Sequence, residues 1–147
     1  MEFITKNAKE TQTLAAKIIK DLIGKKYAGA LVLGLTGELG AGKTTFIQGL
    51  AEALGVKEKV LSPTFVIMKS FKFQVSSFRT LYHIDCYRIE KPEEMAELGF
   101  EEILKNPKNI VVIEWAEKIK KILPKDTVWI NFEHLGEDKR RITIIEI

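Results

Sequence analysis

The chain has a single cysteine, Cys86, in 147 residues. A lone thiol cannot close an internal disulfide, so the sequence points to a reducing compartment and a fold held by packing. A buried, inert thiol is the expected state of Cys86. The opening Met1-Glu2-Phe3-Ile4-Thr5-Lys6 lacks the basic-then-apolar order of a signal peptide. The longest apolar run, Ala28 to Leu35, falls far short of the roughly 20 residues needed to span a bilayer. The expected location is cytoplasmic, with no membrane role. No zinc-type spacing is present, nor a Ser-His-Asp arrangement with local support. Net charge is only +3, too small by itself to imply nucleic acid. Lys57, Lys59, Lys69, Lys72 and Arg79 therefore read as solvated surface. Internal repeats and linkers are missing too, so residues 1–147 are expected to form one domain.

What is there describes an ordinary globular chain, 46% hydrophobic and 29% charged. Asn7 followed by Glu10 resembles a capping box. Leu14, Ala15, Ile18, Ile19 and Leu22 then recur at helical spacing, with Gly24 as the expected stop. Ala30 to Thr36 reads as a buried strand, and Thr44 to Leu54 as a second helix closed by Gly55. Phe65 to Phe73 and Thr80 to Cys86 read as strands around a polar turn at Gln74 to Arg79. Lys91-Pro92-Glu93-Glu94 opens a short helix, with proline tolerated at its start, and Gly99 separates it from Phe100 to Leu104. Ile110 to Ile113 has the β-branched pattern of a strand covered on both faces. A helix is expected from Ala116 to Leu123, stopped by Pro124, then a hairpin turning at Leu135-Gly136-Glu137-Asp138. The expected fold is α/β in three layers: a mainly parallel central sheet with a C-terminal antiparallel hairpin.

Between the Ala30 strand and the following helix lies Gly37-Glu38-Leu39-Gly40-Ala41-Gly42-Lys43-Thr44, a P-loop signature. Gly37, Gly40 and Gly42 permit backbone angles closed to other residues and a close approach to phosphate. Successive N–H groups from Glu38 to Thr45 can form an anion nest, backed by the positive end of the helix. Lys43 supplies a cation for the β- and γ-phosphates, and Thr44 a hydroxyl for Mg²⁺. The expected ligand is a nucleoside triphosphate with Mg²⁺.

Such a site needs a carboxylate at the end of a neighbouring strand, to hold the metal or polarise water. Glu114 closes the apolar run Ile110 to Ile113 and matches best; Asp85, in Tyr82-His83-Ile84-Asp85, is the second candidate. Trp115 reads equally as a core residue or as a wall beside the nucleotide. Thr64, after Ser62-Pro63, is a candidate switch hydroxyl for the γ-phosphate. His83 reads equally as structural, and His134 as surface. Of the four arginines, Arg79, Arg88, Arg140 and Arg141, only Arg88 stands among these motifs, and no arginine finger is evident. The Asn-Lys-x-Asp segment of guanine-specific proteins is absent, so ATP is the default nucleotide.

Several segments now stand in one order: the P-loop through Thr45, Ser62-Pro63-Thr64-Phe65, Tyr82-His83-Ile84-Asp85-Cys86-Tyr87-Arg88, Glu94 with Leu98-Gly99, and Glu114-Trp115-Ala116-Glu117. In order and spacing they resemble the TsaE (YjeE) family over nearly the whole chain. The resemblance implies a bacterial ATPase needed for the threonylcarbamoyladenosine modification at position 37 of tRNA. It implies association with a TsaB–TsaD heterodimer that ATP hydrolysis resets, and an indirect link to tRNA through that complex. It also implies phosphate and Mg²⁺ roles for Lys43 and Thr44, and switch-like roles for Ser62 to Thr64 and His83 to Asp85. Glu114 would serve hydrolysis, with Trp115 as its aromatic neighbour. Cys86 and Ala116 depart from the residues common there, leucine and proline, without touching the presumed chemistry. Two alternatives stay open on the residues alone: a small-molecule kinase, and a nucleotide-dependent adaptor that does not hydrolyse.

Overall fold

Apolar residues in the strands alternate strictly, and this alternation divides the core in two. Leu31, Leu33 and Leu35, with Ile110, Val112, Val128, Ile130 and Phe132, pack on one side of a sheet. Val32, Val111 and Ile113 pack on the other. A strand buried on both faces reads as a continuous apolar run, the pattern that marked Ile110 to Ile113. The computed structural model describes residues 1–38, 42–60 and 67–145.

The described strands are β1 (Glu2–Thr5), β2 (Leu31–Gly37), β3 (Met68–Val75), β4 (Phe78–Asp85), β5 (Asn109–Glu114), β6 (Val128–Gly136) and β7 (Lys139–Ile145). The helices are α1 (Ala8–Leu22), α2 (Lys43–Ala53) and α3 (Phe100–Lys105), with 3-10 segments at Pro92–Leu98 and Ala116–Ile122. Among the described residues the strands form one sheet in the order β1-β7-β6-β2-β5-β4-β3. Its centre, β6-β2-β5-β4, is parallel throughout. Both margins are antiparallel: β7 on β6 and β1 on β7 at one side, β3 on β4 at the other. The parallel centre and the terminal hairpin match the expected P-loop NTPase-like architecture.

Three local readings change. Glu2–Thr5 joins the sheet as a four-residue edge strand, too short to show a periodicity in the sequence. The stretch Gln74 to Arg79 is not a polar turn: β3 runs to Val75 and β4 starts at Phe78, with Ser76 at φ 54° in the tight turn between. Helix α1 ends at Leu22 with Ile23 as its cap, so Gly24 is the first residue past the helix, as expected. Its start keeps half of the expected capping box: Asn7 Oδ1 accepts from Glu10 N at 2.8 Å, but Glu10 Oε1 accepts from Lys6 N, one residue before the cap, at 2.9 Å.

Helices α1 and α2 cover one face. Their buried Leu14, Ile18, Phe46, Ile47 and Leu50 meet the apolar strand residues of that side. Each such side chain contributes about 1.5–3 kcal/mol when fully buried. Phe46 of α2 meets Phe132 of β6 edge to face, with ring centroids 5.3 Å apart. The short helical segments cover the opposite face through Met95, Phe100, Leu104 and Ile119. Glu94 fixes the entry to the first 3-10 segment by accepting from Glu90 N and Lys91 N, both at 2.8 Å.

Candidate functional site

The carboxyl ends of β2, β5 and β4 reach the same edge of the sheet, where open α/β sheets bind their ligands. Register brings Glu114 beside Leu35 of β2 on one side and Asp85 of β4 on the other. Alternation does the rest. Leu81 packs toward α1 and α2, so His83 and Asp85, two and four residues on, point the same way. Glu114 follows Ile110 and Val112 onto that face as well. The acidic candidates thus lie on the side where α2 begins.

Gly37 ends β2 at φ 124°, and a Cβ there would stand 2.2 Å from the Phe132 carbonyl oxygen, so this turn demands glycine. Gly42, at φ 96°, is the N-cap of α2. Lys43 follows as its first residue and is buried. Its Nζ donates to the Gly37 carbonyl at 2.9 Å and lies 3.8 Å from the centroid of the Trp115 ring. Burial lowers the Lys43 pKa from its ordinary value, and the carboxylates of Glu114, Glu117 and Asp85 oppose that shift. Three carboxylates thus lie near enough to act on the ammonium, two of them the candidates read from the sequence.

Glu114 is only 4% exposed, and its Oε2 is 2.7 Å from Nε2 of the fully buried His83. Burying a carboxylate is costly unless it is hydrogen-bonded, and His83 meets that need while fixing the carboxylate's orientation. Among the described residues His83 Nδ1 has no hydrogen-bond partner. Asp85 is half-buried and accepts from Tyr87 N at 2.9 Å. Burial raises its pKa above the usual carboxylate range, helped by the nearby Glu114 and opposed by the Tyr87 N–H, His83 and Lys43. Two carboxylates side by side thus have different surroundings, one sealed against a histidine and one half open.

Trp115 takes φ 58° at the end of β5, which turns its ring toward Lys43. Tyr87 stands beside it, with ring centroids 5.3 Å apart. Lys118 donates to the Tyr87 carbonyl and lies 5.3 Å from the Tyr87 ring centroid. Trp115 also packs against the second core group, so its ring lies between that core and Lys43. Thr44 and Thr45 are half-buried in the first turn of α2, and Glu38 is exposed. Leu39, Gly40, Ala41 and Thr64, the remaining residues read as nucleotide contacts, lie outside the described residues.

Among the described residues no group of three or more His, Cys, Asp or Glu is arranged to hold a metal ion. Magnesium asks for less: it keeps several waters and takes one or two protein oxygens beside substrate phosphates. The Thr44 hydroxyl and the Glu114 carboxylate, both oxygen donors, fit that requirement.

Sequence reasoning missed three contacts at this site. His83 touches Glu114, and the i, i+2 alternation from Leu81 was the available signal. Glu117 acts on Lys43 electrostatically. Arg140 lies against Gly42, whereas Arg88, the arginine that stood among the motifs, is exposed. Nothing local in the sequence signalled the Arg140 contact, because Gly42 and Arg140 are far apart along the chain.

A parallel-centred sheet, a glycine turn leading into a helix with lysine at its first position, and a carboxylate at the next strand's end define a P-loop NTPase-like protein. The profile of the family described as "Threonylcarbamoyl adenosine biosynthesis protein TsaE" matches residues 5–142. The chain belongs to the TsaE family. It is 41% identical over 143 residues to the tRNA threonylcarbamoyladenosine biosynthesis protein TsaE of Rickettsia felis, covering 97% of this chain and 78% of that one. It is also 41% identical to the Bacillus subtilis protein of that name over 116 residues, 79% of this chain and 70% of the relative. The crystal structure of Bacillus subtilis YdiB superposes with a TM-score of 0.78 at 33% identity, spanning 100% of this chain and 85% of that one. No helix among the described residues is long and apolar enough to cross a membrane.

Proposed function

We propose that this chain is an ATPase of the tRNA threonylcarbamoyladenosine pathway. It binds ATP with Mg²⁺, hydrolyses it to ADP, and thereby resets a TsaB–TsaD heterodimer that modifies position 37 of tRNA. tRNA is met indirectly through that complex, in the cytoplasm. The observation that carries the reading is the grouping of Lys43, Glu114 and Asp85 at one sheet edge, beside the start of α2.

The chemistry follows from the residues. The backbone N–H groups at the start of α2 and the helix's positive end attract the phosphates. Lys43 leaves the Gly37 carbonyl and takes the β- and γ-phosphate oxygens. A water lies between Glu114 and the γ-phosphorus, its proton directed to the carboxylate. Attack forms the new P–O bond while the bond from the γ-phosphorus to the β,γ-bridging oxygen breaks, giving ADP and phosphate. His83 holds Glu114 in place during this step, and Asp85 assists at the edge of the site. Thr44 and Glu114 would hold Mg²⁺, which supplies charge neutralisation on the phosphates. A group from the partner is expected to complete the site, since charge-stabilising arginines are worth about 10³ to 10⁵ in rate where they act.

The test is ATP hydrolysis by the purified chain with and without the TsaB–TsaD heterodimer. Stimulation by the heterodimer, lost in Lys43→Ala, is the expected result. Normal tRNA modification in cells carrying only Lys43→Ala would overturn the reading.

A further inference from the structure

We infer that Arg140 is a nucleotide-binding residue that contacts the nucleoside and α-phosphate half of the ligand. The inference rests on the ATP site proposed above and extends it to the side away from Glu114. Three observations lead there. First, strand direction: β6 runs parallel to β2, so its carboxyl end lies at the P-loop edge, and β7 returns antiparallel from that same edge. Arg140, paired with His134, therefore stands at the ligand edge of the sheet. Second, alternation: Ile142 and Ile144 pack with α1 and α2, so Arg140, two residues before Ile142, projects onto the α2 face. Third, contact: a Cβ placed on Gly42 would meet Arg140 Nε at 3.4 Å, Cγ at 3.6 Å and Cδ at 3.7 Å. The arginine stem thus lies along the last glycine of the P-loop.

Its place within the site follows from the order of strands. Glu114 and Asp85 stand on β5 and β4, to one side of β2, and mark the γ-phosphate end. A nucleotide whose γ-phosphate meets Lys43 and Glu114 must extend its other end away from them. Across β2 from β5 lie β6 and then β7, and Arg140 is the cation in contact with the loop there. Its Nη1 donates to the Glu137 carbonyl at 2.9 Å and the Lys139 carbonyl at 3.1 Å, which fixes the guanidinium against the hairpin. An arginine held in this way loses little entropy on binding. Its planar guanidinium suits both a phosphate oxygen and the face of a base.

The experiment is calorimetric titration of the full chain, with Mg²⁺, by ADP and by the non-hydrolysable β,γ-imido analogue of ATP. Arg140→Ala and Arg140→Lys are compared with Arg141→Ala, its hairpin neighbour, which is ion-paired to Glu2 and Glu133. Arg140→Ala is expected to weaken both nucleotides alike, by about ten- to a hundred-fold, the range for hydrogen bonds to charged groups. Arg140→Lys should fall between Arg140→Ala and wild type, and Arg141→Ala should bind as wild type. Unchanged affinity in Arg140→Ala overturns the inference. So does a loss confined to the ATP analogue, which would make Arg140 a γ-phosphate contact, or an equal loss in Arg141→Ala, which would make the effect one of hairpin structure. Should Arg140→Ala not fold, Arg140→Met, which keeps the stem on Gly42, takes its place under the same criteria. Wild-type protein that binds neither nucleotide instead removes the ATP reading beneath it.

Discussion

The two faces of the sheet are built differently. One is covered by α1 and α2, regular helices of 15 and 11 residues. The other is covered by the six-residue α3 and two 3-10 segments. The site lies at the edge of the first face: His83, Asp85, Glu114 and Arg140 all project toward α2. The second face gives the Trp115 turn, Glu117 on the 3-10 segment that follows it, and the backing of Cys86 and Met95, both fully buried. A long helix with a regular apolar stripe gives a firm platform, and a phosphate site needs one because the helix start must not move relative to the strand ends. The short segments are held by individual caps, such as Glu94, and suit a face that has only to exclude water.

The largest effect should come at the edge of the first face. Glu114→Gln is expected to lower ATP hydrolysis at least about 100-fold, a usual loss for a general base, while nucleotide binding persists in titration. A variant that hydrolyses normally would remove Glu114 from the chemistry. Loss of hydrolysis with tRNA modification retained in cells would favour the adaptor.

Next come the two faces themselves, each with a glycine in close packing contact. A Cβ on Gly49 of α2 would stand 2.5 Å from Gln12 Cα and 2.6 Å from its carbonyl oxygen, both backbone of α1. On Gly34 it would meet the Trp129 ring at 2.9 Å and Ala116 Cβ at 3.2 Å, both side chains. Backbone cannot step aside as a half-buried ring can. Gly49→Ala should therefore cost about 1–3 kcal/mol, the usual range for overpacking, and Gly34→Ala less, by chemical denaturation. The reverse order would show that the short-segment face is the stiffer one.

A smaller effect concerns Asp85. Burial holds its pKa above the usual carboxylate range, with Glu114 adding to the shift. A raised carboxylate pKa adds stability that is fully present below the unfolded value and lost as pH rises through the folded one. Near neutral pH the folded chain thus carries a disfavoured charge. Asp85→Asn should raise the Tm of the nucleotide-free protein by about 1–2 °C near pH 7, a few tenths of a kcal/mol in a domain of this size, after allowing for solvent screening. The gain should vanish in acid, and a gain that grew toward acid would contradict the sign. The smallest effect lies beneath the second face: burial pushes the Cys86 thiol up to about 12, so the folded protein should resist iodoacetamide at pH 8. Rapid labelling would mean that this face opens.

Much of the first face was legible in the sequence because its signals are local. The apolar spacing of Leu14, Ile18 and Leu22, the β-branched run before Glu114 and the glycine–lysine–threonine string each fall within a few residues. The second face was harder, since short helices carry too few turns for a period to register. Edge strand β1 was invisible for the same reason, and its pairing with β7 joins opposite ends of the chain.

Sequence alone determined the loop, the lysine, the two carboxylates and the family resemblance, because these depend on residue type at fixed spacing. Tertiary structure decided which groups meet. Parallel register set Glu114 beside Asp85, and alternation drove His83 inward to bond it. The return of β7 along β6 carried Arg140 to Gly42. None of these contacts has a local cause: each needs strands far apart in the chain to lie side by side, and packing alone fixes that.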